Sequence, residues 1–297
     1  MGFYDTYYRA VVERIVRLTP SMVRIRFRGG DLARWTSSGA PDERLCIVFP
    51  SPGEREAPSP VLLPDGRQDY PDEETRPEMR SYTVRAFDPD RAELMVDFVN
   101  HEGGVAARWA RQVTPGDTVY VTEAAGWYAP PAGAAWQLLV ADLTALPALG
   151  RIVEQLPAGT RAHVIAEVTE AADRQEFVSP ARVGYQWLIG SGNGVGPSWL
   201  PEAVQTHRWP DGPGYVWFAG EAAASRAVRK HLRRELDWPT DRSTILGYWR
   251  RGQEEWTARY DVIAPAIESV YTEAVAAGRT SEDALDLYDD ALERAGL

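Results

Sequence analysis

The sequence of 297 residues is poor in thiols and imidazoles. One cysteine, Cys46, excludes a disulfide within the chain and a cysteine-bound iron–sulfur cluster, which needs several thiolates. The histidines, His101, His163, His207 and His231, are scattered without the spacing of metal ligands. We therefore expect no metal site, and we expect any electron transfer to depend on an organic cofactor.

The sequence also lacks long hydrophobic runs and an excess of positive charge. No segment approaches roughly 18 consecutive apolar residues, and Met1 to Ala10 has no charged-then-apolar signal pattern. Acidic residues outnumber basic ones by 43 to 32, and the net charge of −11 opposes binding to nucleic acid or an anionic membrane. We expect a soluble cytoplasmic protein without nucleic-acid or stable membrane association, whose anionic ligands bind in a local basic pocket.

Short strands separated by turns are the pattern of the first half, and the chain is long enough for two domains. Strands are predicted over residues 23–28, 45–49, 80–87 and 93–99 and in a run ending at residue 123. Asp88-Pro89-Asp90 predicts a hairpin turn, residues 50–77 a long loop and residues 105–112 a helix. This pattern is typical of a small antiparallel barrel, here residues 1–132.

Strands alternate with helices after Pro130-Pro131-Ala132-Gly133. The predicted strands are 137–141, 162–168, 187–189, 215–219 and 244–248, and the helices are 145–155 and 222–236. This alternation indicates a parallel sheet in an α/β domain over residues 133–252, with ligands at the carboxyl ends of the strands. Apolar spacings of three and four from Gln253 onward, interrupted by Pro265, predict a kinked helix, and a second helix after Gly278 completes a C-terminal helical extension over 253–297.

Arg80-Ser81-Tyr82-Thr83, with Arg85 just beyond, is the most informative segment. FAD needs an aromatic plate for its ring, a hydroxyl near N5, cations for its pyrophosphate and free backbone N–H groups at a helix start. Tyr82, Thr83 and Arg80 supply the first three, and Gly103-Gly104 supplies the helix start. Arg-x-Tyr-Thr alone also fits a surface strand, but the helix start two strands later favours a flavin site.

These motifs resemble the siderophore-interacting protein family of FAD-dependent ferric-siderophore reductases. The resemblance extends over residues 8–252 and also includes residues 141–147, 216–221 with Arg226, and 247–252. It implies a fold related to ferredoxin reductases, with an N-terminal FAD barrel and a C-terminal nicotinamide-binding domain. It further implies an enzyme that uses NADH or NADPH to reduce a ferric siderophore and release Fe(II).

The resemblance implies a role for individual residues. It places Tyr82 against the flavin ring, makes Thr83 and Trp249 the catalytic residues, and puts Tyr248 on the last strand beside them. The implied cofactor-binding set is Arg80, Ser81, Tyr82, Thr83, Val84, Arg85, His101, Gly103, Gly104, Val105, Ala106, Asp142, Thr144, Ala145, Gly220, Glu221 and Arg226. Of the predicted substrate-binding cations, Arg250 follows from the resemblance, and Arg44 and Arg251 are the further candidates. Glu221 as a helix cap and Trp249 as ordinary core are the alternative interpretations.

Two positions depart from the family pattern. Cys46 stands where many members have lysine, and Ala125 stands where a Gly-Pro-Arg-Gly run supplies arginine. Both basic groups help to hold anionic ferric siderophores. The departures are compatible with a less anionic chelate, with other cations such as Arg44 or Arg251, or with a different acceptor.

Two further functions stay open from the sequence. One is a flavin reductase that serves a partner oxygenase or an organic substrate, and the other is a non-catalytic flavin-binding or siderophore-binding protein. Residues 190–196 are glycine-rich but lack the third glycine of the Rossmann spacing, so we expect a strand-end loop that borders the nicotinamide. The choice between NADH and NADPH, the siderophore, the oligomeric state and the role of the C-terminal helices are likewise open.

Overall fold

The structure is a computed structural model that describes residues 6–72, 76–101 and 103–297. Part of the Met1 to Ala10 segment, and residues 73–75 of the predicted 50–77 loop, lie outside the described residues. An antiparallel seven-stranded sheet and a parallel five-stranded sheet follow one another along the chain, and a helical hairpin follows them. The predicted fold class is therefore confirmed.

The antiparallel sheet has the strand order β6-β3-β9-β1-β2-β8-β7. The elements of this half are β1 (Tyr7–Thr19), β2 (Met22–Arg28), β3 (Arg44–Val48), β4 (Val61–Leu62), β5 (Gln68–Asp69), β6 (Met79–Thr83), β7 (Ala86–Asp88), β8 (Glu93–Val99), α1 (Val105–Gln112) and β9 (Thr118–Thr122). Ile25 and Phe27 of β2 are fully buried, as the alternating pattern predicted. Phe49, Phe98 and Trp109 of α1 complete an aromatic core.

The predicted strand over residues 80–87 is two strands. β6 pairs with β3 at one edge of the sheet, and β7 pairs with β8 at the other. Between them the Val84 N–H donates to Glu43 O at 3.0 Å, and the Arg85 N–H donates to Met95 O at 2.9 Å. The chain therefore joins the two edges at this point and makes the sheet barrel-like.

The parallel sheet has the strand order β12-β11-β10-β13-β14. Its elements are β10 (Trp136–Ala141), α2 (Leu146–Gln155), β11 (Arg161–Val168), β12 (Arg182–Ile189), α3 (Leu200–Gln205), β13 (Gly214–Glu221), α4 (Ala222–Lys230) and β14 (Ser243–Trp249). α2 covers one face of the sheet, and α3 and α4 cover the other. The predicted helix over 222–236 ends as α4 at Lys230, and a single wider turn follows over His231–Glu235.

Helices α5 (Gln253–Ala276) and α6 (Ser281–Arg294) form the helical hairpin, residues 253–297. Gly278 has a φ of 81°, and the Thr280 hydroxyl accepts the Asp283 N–H at 3.1 Å, so the predicted helix after Gly278 is confirmed. The hairpin has its own apolar core around Ile267 and Leu292. Among the residues that the structure describes, no helix is both long enough and apolar enough to cross a bilayer.

Buried polar contacts join the barrel to the α/β domain. Arg151 of α2 donates to Glu43 at 2.8 Å and to the Val84 carbonyl at 2.8 Å. Asp42 accepts the Trp217 indole N–H at 3.1 Å. Because these partners come from both domains, they fix the two domains against each other next to Thr83.

Candidate active site

The predicted flavin-ring site lies where β6 approaches the last strand of the parallel sheet. Thr83 is the final residue of β6, and its hydroxyl lies near that of Tyr248 on β14. Both hydroxyl oxygens are buried, and neither has a hydrogen-bonding partner of normal geometry among the described residues. Since a buried polar atom without a partner is costly, this pair is suited to a ligand that supplies the missing hydrogen bonds, as a flavin edge would.

Arg44 provides the positive charge at this site. It pairs with Thr83 in the β3–β6 register and with Ala125 in an isolated bridge. Its guanidinium carbon lies 4.6 Å from the Trp127 ring centroid and 4.4 Å from that of Tyr248, and its buried Nε atom has no partner among the described residues. The arginine predicted to bind substrate therefore contacts two aromatic rings, which hold its guanidinium in place.

The rest of the Arg80-Ser81-Tyr82-Thr83 segment divides between surface and core. Tyr82 packs on Phe98 with ring centroids 4.4 Å apart, and burial raises the pKa of its phenol. The exposed Arg80 forms an ion pair with Glu78 at 2.6 Å. An exposed pair of this kind contributes little stability, so Arg80 is available to a phosphate.

Other predicted cofactor residues near this segment have structural contacts. The Ser81 hydroxyl lies 3.3 Å from the Cys46 sulfur, and Val84 is fully buried in the barrel core. Arg85 forms two hydrogen bonds with Glu154 of α2, at 2.9 and 2.6 Å, and so joins the two domains. A direct contact of these residues with the cofactor stays a prediction.

The predicted phosphate site is the start of α1. Gly103 and Gly104 have φ values of 88° and 71°, a left-handed conformation that favours glycine, and a side chain at Gly103 would meet nothing within 4 Å. Backbone N–H groups of the first turn, which includes Val105 and the buried Ala106, lack intrahelical acceptors. With His101 exposed before it, this open helix start fits a pyrophosphate.

Asp142 organises the end of β10. Its carboxylate accepts the Thr144 hydroxyl at 2.6 Å, the Thr144 N–H at 2.9 Å and the Trp249 indole N–H at 2.6 Å. Burial raises the pKa of Asp142 to about 6. A side chain at Gly220 would come within 2.9 Å of this carboxylate, and Ala145 is the residue before α2. These contacts hold Trp249 at the carboxyl ends of the strands. Trp249 thus has a defined hydrogen-bonding partner, which the alternative interpretation as an ordinary core residue does not require.

Glu221 caps α4, as the alternative interpretation had it. Its carboxylate accepts the N–H groups of Ala223 at 2.7 Å and Ala224 at 3.1 Å. Glu221 also lines a cavity together with Arg226, Arg250 and Arg251. Gly192, in the predicted strand-end loop, lines the same cavity. The structure thus brings two predicted cofactor residues, Glu221 and Arg226, and two of the predicted substrate cations together at one cavity.

Two residues at the site escaped the sequence analysis. Trp127 holds Arg44, and the buried Asp42 accepts the N–H groups of Trp127 at 2.8 Å and Tyr128 at 2.9 Å. Neither residue belongs to a motif, since the contact joins segments that are 85 positions apart in the chain. The position of Ala125 two residues before Trp127 was the available indication that this segment borders the site.

Comparison with known proteins gives matches in both domains. Residues 11–127 match the siderophore-interacting FAD-binding domain, and residues 134–252 match the siderophore-interacting protein. The solved structure of a siderophore utilization protein from T. fusca is 32% identical, with a TM-score of 0.74, and the alignment covers 84% of this chain and 95% of that one.

Two curated relatives match a similar share of this chain. The ferric vibriobactin reductase ViuB of Vibrio cholerae is 28% identical over 256 residues, which are 82% of this chain and 93% of the relative. An NADPH-dependent ferric-chelate reductase of Escherichia coli is 28% identical over 241 residues, which are 80% of this chain and 91% of the relative. The matched domain confirms FAD as the cofactor. The chain belongs to the siderophore-interacting protein family.

Proposed function

We propose that the protein is an FAD-dependent reductase of ferric siderophores that takes electrons from NADH or NADPH. The observation that carries this proposal is the cluster of Thr83, Tyr248 and Arg44, in which the two hydroxyl oxygens and the Arg44 Nε atom are buried without a hydrogen bond of normal geometry to the described residues. The names of the two curated relatives, both ferric reductases, support it. The division of the chain at residues 132 and 252 and the cytoplasmic release of Fe(II) belong to the same proposal.

The residues of the chain would bind the cofactor and the substrate, orient them and shield them from water. Bound FAD supplies the ability to accept a hydride and to pass on single electrons. Tyr82 and the open start of α1 would hold its ring and pyrophosphate, and the Thr83 hydroxyl would contact the reactive edge of the ring. Asp142 keeps Trp249 at the mouth of the cleft through the 2.6 Å hydrogen bond.

Arg44 would attract the anionic chelate in place of the cations that Cys46 and Ala125 do not supply. The two rings restrict its guanidinium, so little side-chain freedom is lost when an anion binds. Reduction to Fe(II) weakens the hold of hard oxygen ligands, and the iron is released.

The test is a visible spectrum of the purified protein, then anaerobic titration with each nicotinamide and a panel of ferric chelates. We expect a flavin spectrum that bleaches on nucleotide addition and returns when a ferric catecholate or hydroxamate is added. Thr83→Ala is expected to slow the bleaching at least about tenfold, as loss of a hydrogen bond at the reacting group does. Thr206→Ala, an exposed threonine at the end of α3, is the matched control. A protein that stays colourless after incubation with FAD would refute the proposal.

A second candidate is a flavin reductase for an organic acceptor. The observation in its favour is that Cys46, which is buried, and Ala125 carry no charge at positions where many family members carry cations. Arg44→Gln separates the two functions, because it should raise the KM for an anionic ferric chelate and leave that for a neutral quinone unchanged. An equal effect on both acceptors, or faster turnover of the quinone by the wild type, favours the second candidate.

A further inference from the structure

A cavity of about 440 Å³ lies between the carboxyl end of the parallel sheet and the helical hairpin. Glu221 and Arg226 line it on the side of the α/β domain, and Trp256 and Leu297 form the wall on the side of the hairpin. The family match ends at residue 252, so this wall is made of residues outside it. The hairpin therefore adds a surface to the nucleotide site that the family resemblance does not assign.

Three guanidinium groups, from Arg226, Arg250 and Arg251, line the cavity. The single side-chain carboxylate among the lining residues, that of Glu221, already accepts N–H groups of α4 and the Arg251 N–H at 3.3 Å. Arg226 donates one hydrogen bond, to Leu297 O at 3.3 Å, and Arg250 has no hydrogen bond or ion pair with the described residues. The cavity thus has an excess of positive charge and unused N–H donors.

The hairpin holds Arg250 in this position. The Arg250 guanidinium carbon lies 3.7 Å from the ring centroid of Trp256, and Tyr260 stacks on Trp256 at 4.8 Å with an interplanar angle of 12°. Burial, and then the charge of Arg226, lower the pKa of Arg250. Two guanidiniums crowded in this way would be stabilised by a doubly charged anion between them.

We propose that the helical hairpin makes this cavity selective for a nicotinamide dinucleotide with a phosphate on its adenosine ribose, NADPH rather than NADH. Arg226 and Arg250 bind that phosphate, and Trp256 is a positioning residue that holds Arg250. The inference rests on the proposed function, since it concerns the electron donor of the same reaction. The hydroxyl of NADH at this position would leave both guanidiniums without their anion.

Calorimetric binding of two adenosine fragments tests the site without flavin chemistry. The probes are adenosine 2′,5′-bisphosphate and adenosine 5′-monophosphate, which differ by the phosphate in question. We expect the bisphosphate to bind at least about tenfold more tightly, because charge-assisted hydrogen bonds are the strong ones. Arg226→Gln and Arg250→Gln should each remove most of this difference. Arg182→Gln, an exposed arginine at the amino end of β12, should retain it.

The role of Trp256 needs a conservative variant. Trp256→Leu should reduce the bisphosphate preference, and Trp256→Phe, which keeps a ring under Arg250, should restore most of it. Circular dichroism of both variants reports whether the hairpin helices remain. Equal affinity of wild type for the two probes, a preference that survives Arg250→Gln, or a folded Trp256→Leu with unchanged preference would each overturn the inference.

Flavin reduction separates this inference from the proposed function. If NADPH and NADH both fail to bleach the flavin while the bisphosphate preference is present, the proposed function is wrong and the phosphate site stands. If both nucleotides bleach the flavin with equal KM, the reductase stands and the selectivity of the hairpin is refuted.

Discussion

Substitution of Arg151 by methionine should loosen the two domains from each other. The Arg151 side chain is 10% exposed and that of Glu43 is fully buried, and the guanidinium also satisfies the Val84 carbonyl. Removing one partner of a buried ion pair costs about 3–5 kcal/mol. Glu43 would retain three hydrogen bonds, from the Ser37 hydroxyl at 2.5 Å and from the Ser38 N–H and hydroxyl at 2.6 and 2.7 Å. We therefore expect the lower limit, a loss of about 3 kcal/mol in the free energy of unfolding.

Urea unfolding, followed by tryptophan fluorescence and by far-UV circular dichroism, measures this loss. Arg182→Met, in an exposed arginine, is the control and should change the free energy of unfolding by less than about 0.5 kcal/mol. The double variant Glu43→Gln with Arg151→Met should be less destabilised than the sum of the single variants, since it leaves no buried charge. A loss below about 1 kcal/mol for Arg151→Met would show that this pair does not hold the domains together.

Three other predictions concern Asp142, Gly220 and the hairpin. The pKa of the Asp142 carboxyl is about 6 in the folded protein against 3.8 in the unfolded chain, so its contribution to stability decreases by about 3 kcal/mol as pH rises through this interval. The unfolding free energy of Asp142→Asn, relative to that of the wild type, should therefore increase by that amount from pH 4 to above 6. A difference that stays constant with pH would contradict this prediction. Gly220→Ala should destabilise by about 1–3 kcal/mol because its Cβ would lie 2.9 Å from the Asp142 Oδ2 atom, whereas Gly196→Ala, with open space around it, should be neutral in the same denaturation. Two exposed ion pairs, Lys230–Glu293 at 2.9 Å and Arg234–Asp290 at 2.6 Å, help to attach the hairpin to α4 and the turn after it, so proteolysis within α5 and α6 should accelerate in high salt. An unchanged cleavage rate would show that the less exposed Arg229–Asp289 pair and apolar contacts hold the hairpin instead.

Much of the fold could be predicted because its strands have regular patterns. β2 alternates cleanly, and β10 and β13 are short apolar runs bounded by proline and glycine, so their positions follow from the sequence. β1 was missed. Its register shifts after Val12 and after Arg17, and each irregularity breaks the period of two on which such predictions depend.

The candidate site was predictable where it lies within motifs. Thr83, Gly103-Gly104 and Asp142 each belong to a short run of residues that is recognisable by itself, although the partners Tyr248 and Trp249 lie far from Thr83 and Asp142 in the chain. Arg44 and Trp256 are different, because the function proposed for each depends on a ring contact made across the fold, with Trp127 and Tyr248 in one case and with Arg250 in the other. Local patterns do not encode such pairs. The siderophore-binding role of Arg250 stays a prediction, and the structure adds that this residue lines the cavity with Glu221 and Arg226.

The two aromatic rings that contact Arg44 couple a movement of the domains to the binding of an anion at this arginine. Trp127 lies in the segment just after the last strand of the barrel, and Tyr248 belongs to the last strand of the α/β domain. A hinge movement that parts the domains would withdraw one ring and let the guanidinium swing into water, since the attraction operates only within about 6 Å. The affinity of Arg44 for an anion would therefore depend on the angle between the domains. A chelate bound to Arg44 would in turn favour the arrangement in which the two domains are close together.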